Sequence, residues 1–324
     1  MIGIYMKKYL VIVAVVILSG CSAWPTNCGK EEGYVWCNAR YLDLTSRDYK
    51  EKNTVKPDKD KRFKLAYEGY IYALLGAIEL QKEQQSEDKH FSLPEYIEID
   101  YSVNDSTGFQ ASVFKVYETT DRENLKEVVV AFRGTDQFWK DYSAHNLHPS
   151  PKQYKPAQDL VIKISDRYKG TKLVVTGYSL GGGLAMNVLH NERTSSRVSQ
   201  AWAFNSSPRT GEKVKVDSRL YLLSAKGEVL DLPRRILKEG PKSLGALDEH
   251  FSDGYNLVDA SSFYLHSRWV LARQMLIFAD MVYYEESGRD EAYISPPLEI
   301  LKMANPPKGC DGKYKKFLVD NNRL

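Results

Sequence analysis

Lys172-Leu173-Val174-Val175-Thr176-Gly177-Tyr178-Ser179-Leu180-Gly181-Gly182-Gly183-Leu184-Ala185 is the stretch that decides how this chain folds. It begins as an apolar, β-branched run of strand type, Leu173 to Thr176. It turns through Gly177 to Gly181 and continues into helix-compatible residues, Leu184 to His190. A G-x-S-x-G pentapeptide between a strand and a helix is a nucleophile elbow, a strained turn that lifts the serine hydroxyl clear of the sheet. Glycine is needed at 177 and 181 because a side chain there would collide with the neighbouring strand or helix. Gly182, Gly183 and Ala185 keep the following helix slim enough to pack closely on the sheet. The pentapeptide alone recurs by chance; the strand before it and the helix after it give it meaning.

Working outward, strands alternate with helices. Phe63, Tyr67, Tyr70, Ile71, Leu74 and Ile78 recur at helical spacing and predict an amphipathic helix over about Lys61 to Gln85, its aromatic stripe serving as core. Phe109–Tyr117 and Glu127–Phe132 read as strands and Pro156–Tyr168 as a helix. After the elbow strand and its helix (Leu180–Asn191) come strands over Val198–Phe204 and Arg219–Ser224, then a helix over about Leu265–Tyr284. This order predicts an α/β fold with a central, mostly parallel sheet covered by helices on both faces, and the elbow within it resembles that of the α/β-hydrolases.

A serine hydroxyl is a poor nucleophile; it needs a base, a group that orients the base, and donors for the oxyanion. In hydrolases of this architecture these follow in the order serine, acid, histidine. His266 stands at a loop-to-helix junction after the loop-like stretch Asp253–Ser262, where a base could reach Ser179. His250 lies in a polar segment and reads as a surface residue. Glu228 follows Gly227 just past the strand ending at Ser224, and Asp231, three residues on, is its rival as the acid. One oxyanion donor is expected from the N–H of Leu180. The second is expected from the loop after Val128–Phe132, where Gly134 lets the backbone turn towards the serine.

Ala131-Phe132-Arg133-Gly134-Thr135 and Thr176–Ala185 together resemble the class 3 lipase family of α/β-hydrolases. The resemblance spans about Tyr67 to Met281. It implies that Thr135 is an oxyanion residue and that Trp139 matches the tryptophan which often follows. Asn205-Ser206-Ser207-Pro208-Arg209 is similar to the family's G-S-P-R strand end, with Asn205-Ser206 in place of the usual glycine. Gly227-Glu228-Val229-Leu230 stands where the family commonly carries N-D-x-V, with glutamate for aspartate. The family also implies a lid after the oxyanion motif. Here Gln137–Pro156 carries Phe138, Trp139, Tyr142 and Leu147, which would line an acyl chain or pack on the domain.

The first segment stands apart from the fold. Lys7 and Lys8 precede an apolar run, Leu10 to Leu18, too short for a spanning helix of roughly 20 residues. Met6 is a plausible start. Leu18-Ser19-Gly20-Cys21 resembles a bacterial lipobox, which implies a signal peptide over 1–20 and acylation of Cys21. Residues 21–55 then read as a tether or N-terminal extension, and 56–324 as the hydrolase domain. The implied location is the bacterial cell envelope, the outer membrane in a Gram-negative cell because Ser22, not aspartate, follows the lipid site. Of the other cysteines, Cys28 and Cys37 close a short loop and are the favoured pair; a bridge from either to Cys310 is the alternative.

No cofactor is expected, and no zinc site, since no cysteine has metal-ligand spacing with a histidine. His145 and His148 lack a carboxylate partner. A net charge of +3, with scattered lysines and no basic stripe, is too small to argue for a nucleic-acid partner, and none is expected. Oligomeric state is left open. The sequence thus predicts a membrane-anchored serine ester hydrolase, lipase or phospholipase A1-like, with lipid or phospholipid as its substrate. A catalytically silent envelope lipoprotein that binds through the fold, and a secreted toxin-like phospholipase, are the alternatives.

Overall fold

The structure is a computed structural model that describes residues 60–81, 91–134, 151–208, 210–213, 215–231, 244–257, 262–290 and 292–304. Its strands β1 (Ile97–Asn104), β2 (Gln110–Tyr117), β3 (Leu125–Phe132), β4 (Lys172–Tyr178), β5 (Gln200–Phe204), β6 (Leu220–Ala225) and β7 (Phe251–Tyr255) form one seven-stranded sheet in chain order. The first three strands pair antiparallel across short turns. From β3 to β7 all pairs are parallel. The sheet is therefore mostly parallel, as the alternation of elements predicts.

Parallel neighbours taken in chain order have a consequence for the layers. Crossovers in such sheets are right-handed, so successive crossovers in one direction place their helices on one face. Helices α1 (Lys61–Gln81), α2 (Pro151–Arg167), α3 (Leu180–His190), α4 (Ser262–Leu265), α5 (Arg268–Glu286) and α6 (Pro296–Met303) divide accordingly. Leu160, Val161 and Ile164 of α2 and Leu184, Val188 and Leu189 of α3 pack with Val128, Val130, Val175 and Ala203 in one core layer. On the other face α1 and α5 pack with Val129, Ala131, Val174, Trp202 and Leu223. The central strands are apolar on both faces because both are covered.

Helix α1 departs from the expected one-sided stripe. Leu65, Ala66, Ala73, Leu75 and Ala77 are as buried as the residues of the stripe, since α1 lies between the sheet and α5. Phe63 meets Phe278 edge-on at 4.6 Å, and Tyr67 meets Tyr283 at 4.8 Å. The first turn of α1 also pins the edge strand: Arg62 donates to Gly254 O at 2.9 Å and Tyr255 Oη donates to Arg62 O at 2.9 Å.

Four further differences are local. β1 was not expected, although Ile97, Ile99, Tyr101 and Val103 alternate with polar residues at strand period; it is an edge strand, bulged between Ile99 and Tyr101 and tied to β2 by Lys115 and Glu98 at 2.6 Å. β7 reads as loop because Asp253-Gly254 signals a turn, yet it completes the sheet, and His250 before it is half-buried, stacked on Tyr221 at 4.2 Å. The last long helix is broken: α4 ends at Leu265 and α5 starts at Arg268, with Ser267 extended at ψ 130°. Helix α2 begins at Pro151, so Pro156 lies inside it rather than opening it.

Trp202 on β5 is fully buried, stacked on Tyr221 at 3.9 Å, and a Cβ built on Gly69 of α1 would lie 2.2 Å from its ring. Alanine at a helical glycine normally gains about 1 kcal/mol. Here the clash should outweigh that gain, since the indole is held on both sides and overpacking costs about 1–3 kcal/mol. Gly69→Ala is expected to lower the urea midpoint with an unchanged slope. A raised midpoint would show that the indole can move aside.

Candidate active site

The carboxyl ends of β4, β5 and β6 lie side by side at one edge of the sheet, the edge at which open α/β sheets carry their sites. Ser179 follows β4 directly and caps α3 with φ 52° and ψ −119°, a left-handed strain for a residue with a side chain. Two bonds hold the turn: Ser179 N–H donates to Phe204 O at 3.0 Å, and Ser207 N–H donates to Ser179 O at 2.9 Å. The hydroxyl-bearing residue and Leu180 are half-buried, while Tyr178 before them is enclosed and stacked on Phe204. Burial pushes the Tyr178 hydroxyl well above its ordinary value, so it stays neutral.

The glycines do what the elbow requires. A Cβ on Gly177 would meet Gly181 C at 2.4 Å, and one on Gly181 would meet Phe132 O at 2.2 Å. A Cβ on Gly182 would meet Ser206 Cβ at 2.8 Å. Helix α3 can thus approach the ends of β3 and β5 until backbone touches backbone. Gly134, just past β3, belongs to the same contact: a Cβ there would lie 2.6 Å from Tyr178 O and 3.5 Å from Ser179 Cβ. The N–H of Leu180 opens α3, where the first backbone donors of a helix lack intrahelical partners. Thr135, one residue beyond Gly134, lies outside the described residues, as do Trp139, His145, His148 and the lid-like stretch as far as 150.

The carboxylate that meets His266 is that of Glu228, not Asp231. Glu228 Oε2 lies 2.6 Å from His266 Nδ1, and its side chain has no solvent exposure. The same oxygen accepts the Leu230 N–H at 2.9 Å. Gly227, at φ 74°, makes the turn that sends Glu228 inward from the end of β6. Asp231 is half-buried, and its N–H donates to Glu228 O at 3.0 Å, one step further round the turn. His266 occupies the break between α4 and α5, bound to the acid turn through Val229 N–H to Ser262 O at 3.0 Å.

Sequence reasoning missed the residue that ties these parts together. Asn205, at the end of β5, donates from Nδ2 to Leu265 O and His266 O, both at 3.2 Å, and accepts from Ala225 N–H at 3.0 Å. Its departure from the family's glycine was the available signal. Arg133 and Arg268 also flank this edge; burial, with the Arg133 charge second, brings Arg268 down to about 10. Among the described residues no group of three histidine, cysteine or acidic side chains could hold a metal ion. A cavity of about 760 Å³ among Tyr67, Tyr72, Glu127, Lys172, Gln200 and Trp202 opens at the opposite edge, where the parallel strands begin, remote from Ser179.

Residues 79–216 match the profile of the Tle-like phospholipase domain, described as phospholipase-like. No curated protein matches the sequence. Among solved structures, the chain is similar to Lip2 lipase of Yarrowia lipolytica, with 13% identity over 54% of this chain and 75% of that one and a TM-score of 0.35. The Rhizomucor miehei lipase–propeptide complex shares 15% identity over 66% and 77%, at a TM-score of 0.38. Lipase II from Rhizopus niveus shares 14% over 59% and 78%, at 0.36. At that distance these likenesses add nothing to the site. The chain thus combines an α/β fold built on a mostly parallel sheet with a serine elbow, and over residues 79–216 it is similar to a phospholipase-like domain.

The geometry separates the two acids experimentally. Glu228→Gln replaces the acceptor at His266 Nδ1 by an amide, which favours the wrong imidazole tautomer. In the serine-protease template the equivalent change costs about 10⁴-fold in turnover. Turnover of a soluble p-nitrophenyl ester should fall by a comparable factor in Glu228→Gln and far less in Asp231→Asn; the reverse ranking would reassign the acid.

Proposed function

We propose that the protein hydrolyses acyl esters of lipids through a serine acyl-enzyme, with Ser179 as nucleophile, His266 as base and Glu228 as the acid. The observation that carries this reading is the buried Glu228–His266 pair, joined to the same sheet edge that presents Ser179 in a left-handed turn. With Nδ1–H donating to Glu228, Nε2 of His266 is the atom that takes the Ser179 proton. Ser179 Oγ then attacks the ester carbonyl, and His266 returns the proton to the departing alcohol. A water, deprotonated by the same nitrogen, cleaves the acyl-serine and restores the enzyme.

The tetrahedral intermediate carries its charge on the former carbonyl oxygen. Leu180 N–H at the start of α3 suits that charge, because preorganised backbone donors cost no reorganisation as it develops. Thr135 is proposed as the second oxyanion residue, on the strength of its place after Gly134. Phospholipid is the favoured substrate, for two reasons. The matching profile is of a phospholipase-like domain, and a lipid anchor at Cys21 would hold the enzyme on a bilayer. No helix among the described residues is long and apolar enough to cross a membrane. An anchor at Cys21 would hold through its acyl chains, each buried methylene adding about 0.8 kcal/mol.

Ser179→Ala removes one half-buried hydroxyl from a strained turn. It should abolish hydrolysis of phospholipid and of small soluble esters, and labelling by a fluorophosphonate, while the melting temperature stays close to wild type. A wild-type protein that is folded yet neither labelled nor active would instead be a binding lipoprotein.

Cys21→Ser should release the protein from the membrane fraction or block its processing. A variant starting near Ser22 should hydrolyse soluble esters normally and lose activity chiefly on bilayers. Metabolic labelling with a fatty-acid analogue checks this directly: an unlabelled, soluble wild type would mean an ordinary secretory signal.

A further inference from the structure

Asn205 takes no part in the proton transfers, yet it is the most constrained side chain beside them. It is fully buried and sits at φ 41°, a left-handed conformation that asparagine tolerates better than most residues with a side chain. Its own N–H donates to Leu223 O at 2.9 Å, and the preceding carbonyl, of Phe204, accepts the Ser179 N–H. Its carboxamide meets three backbone groups on two further segments: Ala225 N–H on Oδ1, and the carbonyls of Leu265 and His266 on Nδ2.

A side-chain amide of this length offers two donors and an acceptor in one plane. Aspartate, the same shape, could only accept, and would set a negative oxygen against two carbonyl oxygens. Glycine would satisfy the backbone angle and none of the three partners. The partners matter because His266 stands on no strand. It follows a four-residue helix, whose last carbonyls have no intrahelical donors. The Glu228 bond orients the imidazole ring, but a ring is only as well placed as the backbone that carries it.

We infer that Asn205 is a positioning residue, its carboxamide clamping the His266 backbone to the end of β6 so that base and acid stay in register with Ser179. The inference rests on the hydrolase reading above for its effect on turnover, though the clamp itself has a readout without turnover.

The test uses the full chain with Asn205→Gly and Asn205→Asp. On p-nitrophenyl butyrate, Asn205→Gly should lower kcat about 10²-fold, the scale of misplacing a catalytic group by about 1 Å, with KM little changed. Asn205→Asp should lose at least as much and move the acid limb of the kcat/KM profile to higher pH, because a nearby carboxylate favours imidazolium. In proton NMR, the far-downfield resonance of the His266 Nδ1–H should shift or broaden in Asn205→Gly while the amide spectrum remains that of a folded protein. Should the glycine variant not fold, Asn205→Ser, which keeps one donor and its acceptor, takes its place in all three measurements. Variants that lose melting temperature but keep kcat, pH profile and the His266 resonance would overturn the inference and leave Asn205 a folding residue only. A wild type without Ser179-dependent hydrolysis would overturn the hydrolase reading instead, and an unchanged His266 resonance would then still dispose of the clamp.

Discussion

The site depends first on a steric constraint, the absence of side chains where α3 crosses the ends of β3 and β4. Gly177 and Gly181 lie so close to backbone that no Cβ fits at either position. That contact fixes how near the first turn of the helix comes to the sheet edge, and so where its unpartnered N–H groups stand. It also forces the chain to reverse within the space of Ser179, which is why that residue, and not a glycine, carries φ 52°. Strain at one residue persists only where its surroundings over-determine it. Here the surroundings are Phe204 O and Ser207 N–H, one on each side of the serine peptide.

The proposed acid and base obey a different constraint, that of charge without water. A carboxylate with no exposure, such as Glu228, is tolerated only when donors replace its hydration. Oε2 has two, the Leu230 N–H and the His266 ring. Both lie on the turn or on the segment bonded to it, so the electrostatics of the pair and the geometry of the β6 turn are one problem. Glutamate, where the class 3 lipases that the sequence resembles commonly carry aspartate, lengthens the reach from that turn by one methylene, and the Gly227 conformation sets the direction from which it reaches.

How much of this was legible in the sequence follows from how local each determinant is. The central strands could be read because both faces are buried, which leaves long apolar runs, and the elbow because its glycines fall within five residues. β1 and β7 were not read: the period-2 alternation of β1 is short and holds a bulge between Ile99 and Tyr101, and β7 is a five-residue strand whose turn-like Asp-Gly is held extended by Arg62 from the start of the described chain. Ser179, Glu228 and His266 were selected by order along the chain. Glu228 was favoured over Asp231 by its place at the carboxyl end of the strand, but the contact that separates the two, with a residue 38 positions away, is visible only in the folded chain. Asn205 was visible only as an oddity. An asparagine where a glycine is usual signals a positive φ with a side chain that has work to do, but its partners lie on segments that only the folded sheet assembles.

The two layers of helices bear on when activity can arise. Helices α2 and α3 pack on the sheet as soon as their flanking strands exist, because each belongs to a local crossover. The opposite layer joins α1, from the start of the described chain, to α5, near its end, through contacts such as Phe63 with Phe278. Contacts so distant along the chain carry a loop-closure cost that local ones do not, and they form late. His266 enters with α5. On the proposed assignment, a chain still being made therefore carries Ser179 without His266. The paired site exists only once the domain is complete, a timing written into the topology of the sheet and its outer layer.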